Sequence, residues 1–289
     1  MNDPLKWQCA AGFLTRKKRK EHTDAACKLL RENERDYVGA CGRFLSQGVG
    51  DNVWFLCSKT GGPEALLISS GSVLMPVFAG IKEIPYPEFL GNFIRKKKVH
   101  SIQGPLSEVK FLEKVLDDKG MKTKDTIDYD LMSLDVSPKI KTSKTCPGNL
   151  ELRVPQMKDV EGLAPLQEGY EKEEVLPKGS FFNPASSRLN TANIVKNGKI
   201  LAARIDGKFV GKINVNAVSF TRYQIGGVYV RPEFRRMGIA CEMAGVFIAS
   251  LINQGRGVTL FVKKVNFAAA NLYRDLGFTS VGDYRITYY

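Results

Sequence analysis

Histidine is scarce in this chain: His22 and His100 are the only two in 289 residues, and both lie in the first half. Six cysteines, at 9, 27, 41, 57, 146 and 241, form no C-x-x-C pair. Together these leave little material for a Cys/His metal site, and isolated reduced thiols fit a cytoplasmic compartment better than a disulfide framework. No stretch approaches the roughly 20 uninterrupted apolar residues of a membrane span, and the opening Met1-Asn2-Asp3-Pro4 has no signal-peptide pattern. The expectation is a soluble cytoplasmic protein with neither a metal nor a membrane partner.

What is abundant is positive charge. The formal net charge is +13, but it is spread evenly, with +6 on residues 1–146 and +7 on the remainder. Two basic runs stand out, Arg16-Lys17-Lys18-Arg19-Lys20 and Arg95-Lys96-Lys97-Lys98. Neither is interleaved with aromatics as a single-strand stacking platform would be, so solvated faces or anionic ligands are favoured over nucleic acid. With 43% hydrophobic residues the chain can bury a substantial core, and its length favours two modest domains.

The apolar pattern sets the organisation. Ala25, Ala26, Leu29 and Leu30 repeat at helical spacing, and Tyr37 to Leu45 forms a second helical stretch ending at Gly48. Strand-like runs follow at Asn52–Cys57, Glu64–Ser70 and Val73–Phe78, then a short strand at Val99–Ile102, an amphipathic helix from Glu108 to Leu116 and a strand from Asp128 to Val136. Pro85 and Pro87 read as breaks before Phe89-Leu90. Residues 137–149 are polar, basic and rich in breakers, as linkers are. This divides the chain into an α/β domain at 1–136 and a second domain at 150–289. The second domain reads as strand 150–154, helix 155–167, strands 200–204, 209–218 and 224–230, a long helix 237–253, strand 257–262, helix 268–276 and a closing strand 285–289.

The chemistry concentrates in this second half. The strand Val228-Tyr229-Val230 runs through Arg231-Pro232-Glu233-Phe234 into Arg235-Arg236-Met237-Gly238-Ile239-Ala240 and then the long helix. A strand-to-helix turn of this kind aims free backbone N–H groups and the positive end of the helix dipole at one place. Gly238 and Ala240 permit close backbone approach, and Arg235 and Arg236 add charges that suit a pyrophosphate. Beyond the next strand stand Asn266, Ala269 and Tyr273, followed by Leu276-Gly277-Phe278.

These two blocks, V-x-V-x-P-E-x-R-x-x-G-x-A and N-x-x-A-x-x-x-Y-x-x-x-G-F, closely resemble the GNAT N-acetyltransferase superfamily over roughly Leu150 to Tyr289. The resemblance implies a mixed, mostly antiparallel sheet flanked by helices, with acetyl-CoA as cosubstrate. It implies that Arg235, Arg236, Met237, Gly238, Ile239 and Ala240 cradle the pyrophosphate, and that Val228, Tyr229 and Val230 pair with the pantetheine arm. Asn266 would hydrogen-bond that arm, and Tyr273 would be the general acid for the departing thiolate. The plain alternatives are a helix N-cap for Asn266, which can coexist with cofactor contact, and a core aromatic for Tyr273.

An acyl transfer also needs a donor to the thioester carbonyl, for which a backbone N–H near the Gly226-Gly227 pair is the natural choice. The acceptor amine needs a base. With no histidine available, the run Glu171-Lys172-Glu173-Glu174 offers one, and Glu174 is the choice, against the plain alternative of a solvated acidic face. Cys241 is read as a packing thiol. The expected activity is direct acetyl transfer to an amine on a small molecule or a protein. The alternative is a non-catalytic acyl-CoA-binding or sensor protein. The first half has no second R-x-x-G-x-A loop, but its α/β alternation is compatible with a degenerate copy of the same fold that shapes the acceptor site with Arg95–Lys98.

Overall fold

The computed structural model describes residues 6–9, 16–57, 63–81, 87–135, 146–177 and 179–289. Most of the expected linker 137–149, together with the opening 1–5, lies outside the described residues. The chain forms two compact units. The first contains residues 1–131, 218–220 and 281–289, and the second contains 132–217 and 221–280.

In the first unit the elements are β1 (Lys6–Cys9), α1 (Arg16–Glu32), α2 (Val38–Gln47), β2 (Val53–Cys57), β3 (Pro63–Ser70), β4 (Val73–Val77), α3 (Pro87–Lys96), β5 (Ser101–Pro105), α4 (Leu106–Asp117) and β6 (Asp125–Leu134) as far as Leu131. Strands β1 to β4 pair as antiparallel neighbours in chain order, and β4 pairs parallel to β5. The sheet is covered on both faces. Ala26, Leu30, Phe44, Phe55, Leu66 and Ile68 form one apolar layer, and Leu56, Leu67, Leu90, Ile94, Ile102, Val109 and Leu112 form the other. Consecutive residues of β3, Leu66 and Leu67, fall into opposite layers, as strand geometry requires. The basic run Arg95–Lys98 is exposed at the end of α3.

The second unit contains β7 (Glu151–Arg153), α5 (Val160–Tyr170), α6 (Pro184–Lys196), β8 (Ile200–Ile205), β9 (Lys208–Val218), β10 (Arg222–Val230), α7 (Ile239–Ile252), β11 (Gly257–Lys263) and α8 (Phe267–Asp275). Its strands lie in the order β11-β10-β9-β8-β7. The β7–β8 and β8–β9 pairs are antiparallel, and the α7 crossover makes β10–β11 parallel. Helices α5 and α6 cover one face, where Leu163, Leu166, Val195, Ile200, Ala202, Phe209 and Tyr229 are buried together. In β9 the register steps from Phe209 to Gly211 across Arg204 and Ala203 of β8, which makes Val210 an extra residue.

Two features differ from the sequence reading. The closing strand β12 (Thr279–Tyr288) was expected in the second domain, but its residues from 281 onward belong to the first unit, where Tyr284–Tyr288 pair antiparallel with Ser101–Pro105 of β5. Strand pairing is a long-range choice to which local periodicity is blind. Second, Pro87 starts α3 rather than breaking the chain, because proline is preorganised for the first helical position and has no N–H to leave unpaired there, while Pro85 lies outside the described residues.

Candidate functional site

The site lies in the second unit, where β10 and β11 part. Their ladder runs from Arg222 opposite Gly257 to Ile225 opposite Leu260. Both strands continue beyond it, to Val230 and to Lys263. The divergence begins at Gly226-Gly227. Gly227 has φ +61°, and a Cβ there would stand 2.0 Å from Asn214 Oδ1, while one on Gly226 would stand 2.1 Å from Asn216 Nδ2. Gly227, crowded by buried Asn214 and Lys212, is required by space and by conformation, whereas a side chain at Gly226 would displace the exposed Asn216 amide.

Past Val230 the chain makes a tight turn. Phe234 N–H donates to the Arg231 carbonyl at 2.9 Å and Arg235 N–H to the Pro232 carbonyl at 3.2 Å. Arg236 and Gly238 both take left-handed conformations, φ +65° and +75°, and α7 starts at buried Ile239 with no side chain capping it. A helix start of this kind presents its first-turn N–H groups outward, and left-handed steps just before a helix are a geometry in which backbone amides can converge on an anion. Both arginines are exposed, but Arg235 is also held by its own surroundings. Its Nε donates to the Val230 carbonyl at 2.9 Å, its guanidinium lies 5.3 Å from the Tyr229 ring centre, and Nη2 donates to Glu173.

Glu173 and Glu174 sit on a π-turn that extends α5, in which Leu176 N–H reaches back five residues to the Glu171 carbonyl. Such turns are frequent at functional sites. The two neighbouring carboxylates face different partners. Glu173 accepts from the Tyr229 hydroxyl at 3.0 Å and from Arg235, on the β10 side. Glu174 pairs with Lys263 at 3.3 Å and accepts from Asn266 Nδ2 at 3.3 Å, on the β11 side. Tyr229 itself is buried against α5, and the ring fits because residue 169 is glycine; a Cβ there would lie 2.3 Å from its hydroxyl oxygen.

Asn266 caps α8, its Oδ1 accepting from Ala269 N–H at 3.1 Å while Nδ2 remains for Glu174. Tyr273 is buried two turns further on, edge-on to Phe278 with ring centres 5.8 Å apart. Burial, reinforced by Tyr170 and Glu174, raises the pKa of its hydroxyl above the ordinary tyrosine value, so it keeps its proton. Burial also pushes the Cys241 thiol up, with Glu242 adding to the effect, which removes it as a ready nucleophile.

Sequence reasoning missed Lys212. Its side chain is 1% exposed, with Nζ donating to Asn214 Oδ1 at 3.1 Å and to the Gly227 carbonyl at 2.9 Å, and lying 5.0 Å from the Tyr170 ring centre. Burial lowers its pKa to about 7, against an opposing pull from Glu171. The signal was present: Lys212, Asn214 and Asn216 recur at period two and so share one face of β9.

Residues 166–278 match the model of the acetyltransferase (GNAT) family. No curated protein gives a significant match. Among solved structures, a GCN5-related N-acetyltransferase from Sphaerobacter thermophilus is similar at TM-score 0.63 and 16% identity, covering 91% of this chain and 92% of its own. A Drosophila protein is similar at TM-score 0.65 and 12% identity, over 99% of both chains. A tandem GNAT protein from the clavulanic acid biosynthesis pathway is similar at TM-score 0.60 and 12% identity, over 98% of this chain and 97% of its own. Residues 166–278 are thus a GNAT acetyltransferase domain, in a chain that shares its fold over nearly its whole length with a tandem protein of that family.

Proposed function

We propose that the second unit transfers an acetyl group from acetyl-CoA directly to an amine, carried by a small molecule or a protein side chain. The observation that carries this reading is the opening between β10 and β11 beyond Ile225 and Leu260, which leads to the uncapped start of α7 at left-handed Gly238. An extended pantetheine fits strand edges freed in this way, and a pyrophosphate fits the first-turn amides. Bound there, acetyl-CoA supplies the thioester whose carbonyl carbon the amine nitrogen attacks, with the C–S bond breaking as the amide forms.

The residues divide the work. Backbone groups of Val228–Val230 hold the arm, and the Arg235–Ala240 loop holds the phosphates, with exposed Arg236 the readier of the two guanidiniums. The Asn266 amide stands beside the arm. Tyr273, which keeps its proton, donates to the departing sulfur, and Glu174 takes the proton released by the amine.

Titration of acetyl-CoA, followed by free-thiol release with a panel of polyamines, amino acids, aminoglycosides and lysine peptides, tests the proposal. Turnover on at least one amine, lowered by Glu174→Gln, is the expected result. Tight binding without turnover on any acceptor would favour a sensor that keeps the donor site alone.

A further inference from the structure

Lys212 has no place in the donor or acceptor roles just described, yet it is a lysine buried in the sheet at the point where β10 leaves β11. Burying an amine there is costly unless its donors are satisfied, and they are aimed at specific acceptors. One is Asn214 Oδ1, itself steadied because Asn214 Nδ2 donates to Asn216 Oδ1 at 2.8 Å. Another is the carbonyl of Gly227, the residue whose left-handed φ of +61° turns the strand. The Tyr170 ring faces the ammonium from α5, and Glu171, the next residue, is the acidic group acting on it from the π-turn.

A trans peptide is planar, so its C=O and N–H point in opposite directions. The chain has no cis peptide bond among the described residues. When the Gly227 carbonyl is drawn toward Lys212 on β9, the Val228 N–H of the same peptide points away from β9, to the side of β10 that β11 has left. That is where a thioester lying in the opening would place its carbonyl oxygen.

We propose that Lys212, braced by Asn214, is a positioning residue for acyl transfer: by holding the Gly227 carbonyl it fixes the peptide plane that aims the Val228 N–H at the thioester carbonyl. The proposal rests on the acetyl-CoA reading of the site. It assigns the lysine no contact with substrate and no proton transfer. Its effect is on the polarisation of the carbonyl, where a preorganised donor is worth most.

The test needs no acceptor. Acetyl-CoA labelled with 13C at the carbonyl is bound to the wild-type chain, and isotope-edited infrared spectroscopy reads the C=O stretch. A shift to lower wavenumber than in water is expected for the wild type. In Lys212→Met the stretch returns toward the water value while the dissociation constant stays within about threefold, since pantetheine and phosphate contacts are untouched. Lys212→Gln, which keeps a shorter donor and offers a second variant if the methionine protein does not fold, should fall between the two. A wild-type carbonyl without the shift, or the full wild-type shift retained in folded Lys212→Met or Lys212→Gln, overturns the proposal. Failure of wild-type chain to bind acetyl-CoA would instead overturn the reading of the site, so the two failures are distinguishable.

Discussion

Nη2 of Arg235 donates to both carboxylate oxygens of Glu173, at 3.0 and 2.8 Å. The side chains are 42% and 43% exposed, so the pair is worth under about 1 kcal/mol. It nevertheless engages a guanidinium from the loop that would hold the pyrophosphate. Glu173→Gln should release Arg235 and tighten acetyl-CoA binding by about 2- to 5-fold, with the gain shrinking at high salt. Calorimetry at low and high ionic strength measures this. Weaker binding would mean that the carboxylate helps to build the cradle.

Tyr273 offers the sharpest separation of binding from chemistry. Tyr273→Phe keeps the ring that packs edge-on to Phe278 and removes only the hydroxyl. Turnover is expected to fall by about 100-fold or more, with acetyl-CoA affinity changed less than twofold. Equal turnover in the variant would assign the residue to the core alone.

Lys212 ties stability to pH. Its folded pKa, about 7, lies below the unfolded value, so between pH 7 and roughly 10 the unfolded chain holds more protons. Stability of the second unit therefore rises with pH across that window, by at most about 1.4 kcal/mol per pH unit from this group, and the group's contribution is least favourable below pH 7. Chemical denaturation of wild type and Lys212→Met at matched pH values should show the rise in the former and a flatter profile in the latter. Parallel profiles would contradict a depressed lysine.

In the first unit the backbone amides past the β4–β5 ladder are paired by side chains. The β4–β5 ladder covers only Val73 opposite Ser101 and Leu74 opposite Ile102, and just beyond it Phe78 N–H donates to Glu108 Oε2 at 3.1 Å. The Tyr37 hydroxyl donates to the other oxygen of Glu108 and accepts from Ala79 N–H at 3.0 Å. Glu108→Ala would leave buried donors unpaired and should cost about 2–4 kcal/mol, seen as a lower denaturation midpoint. Burial raises the Glu108 pKa to about 7, so its contribution weakens as pH climbs from the ordinary glutamate range toward 7, the opposite sign to Lys212.

Much of the second unit was legible because its signals are local. The strand, glycine-bearing turn and apolar helix from Val228 to Ile252 follow one another without interruption, and Asn266 and Tyr273 share one short helix. What was missed is of two kinds. Helices α3 and α6 both open on proline, and at α6 Asn183 Oδ1 accepts from Ser186 N–H at 3.0 Å, a start signal that was there to be read. The pairing of β12 with β5, and the partners of Glu173 and Glu174, depend on residues tens of positions away, and no periodicity encodes them.

The most direct measurement of the central claim is calorimetric titration of acetyl-CoA into the wild-type chain. The account predicts one molecule bound per chain, at the Arg235–Ala240 loop of the second unit, because in the first unit Glu108 and Tyr37 already accept from the Phe78 and Ala79 amides past the β4–β5 ladder. Absence of binding, or two molecules per chain, would contradict it.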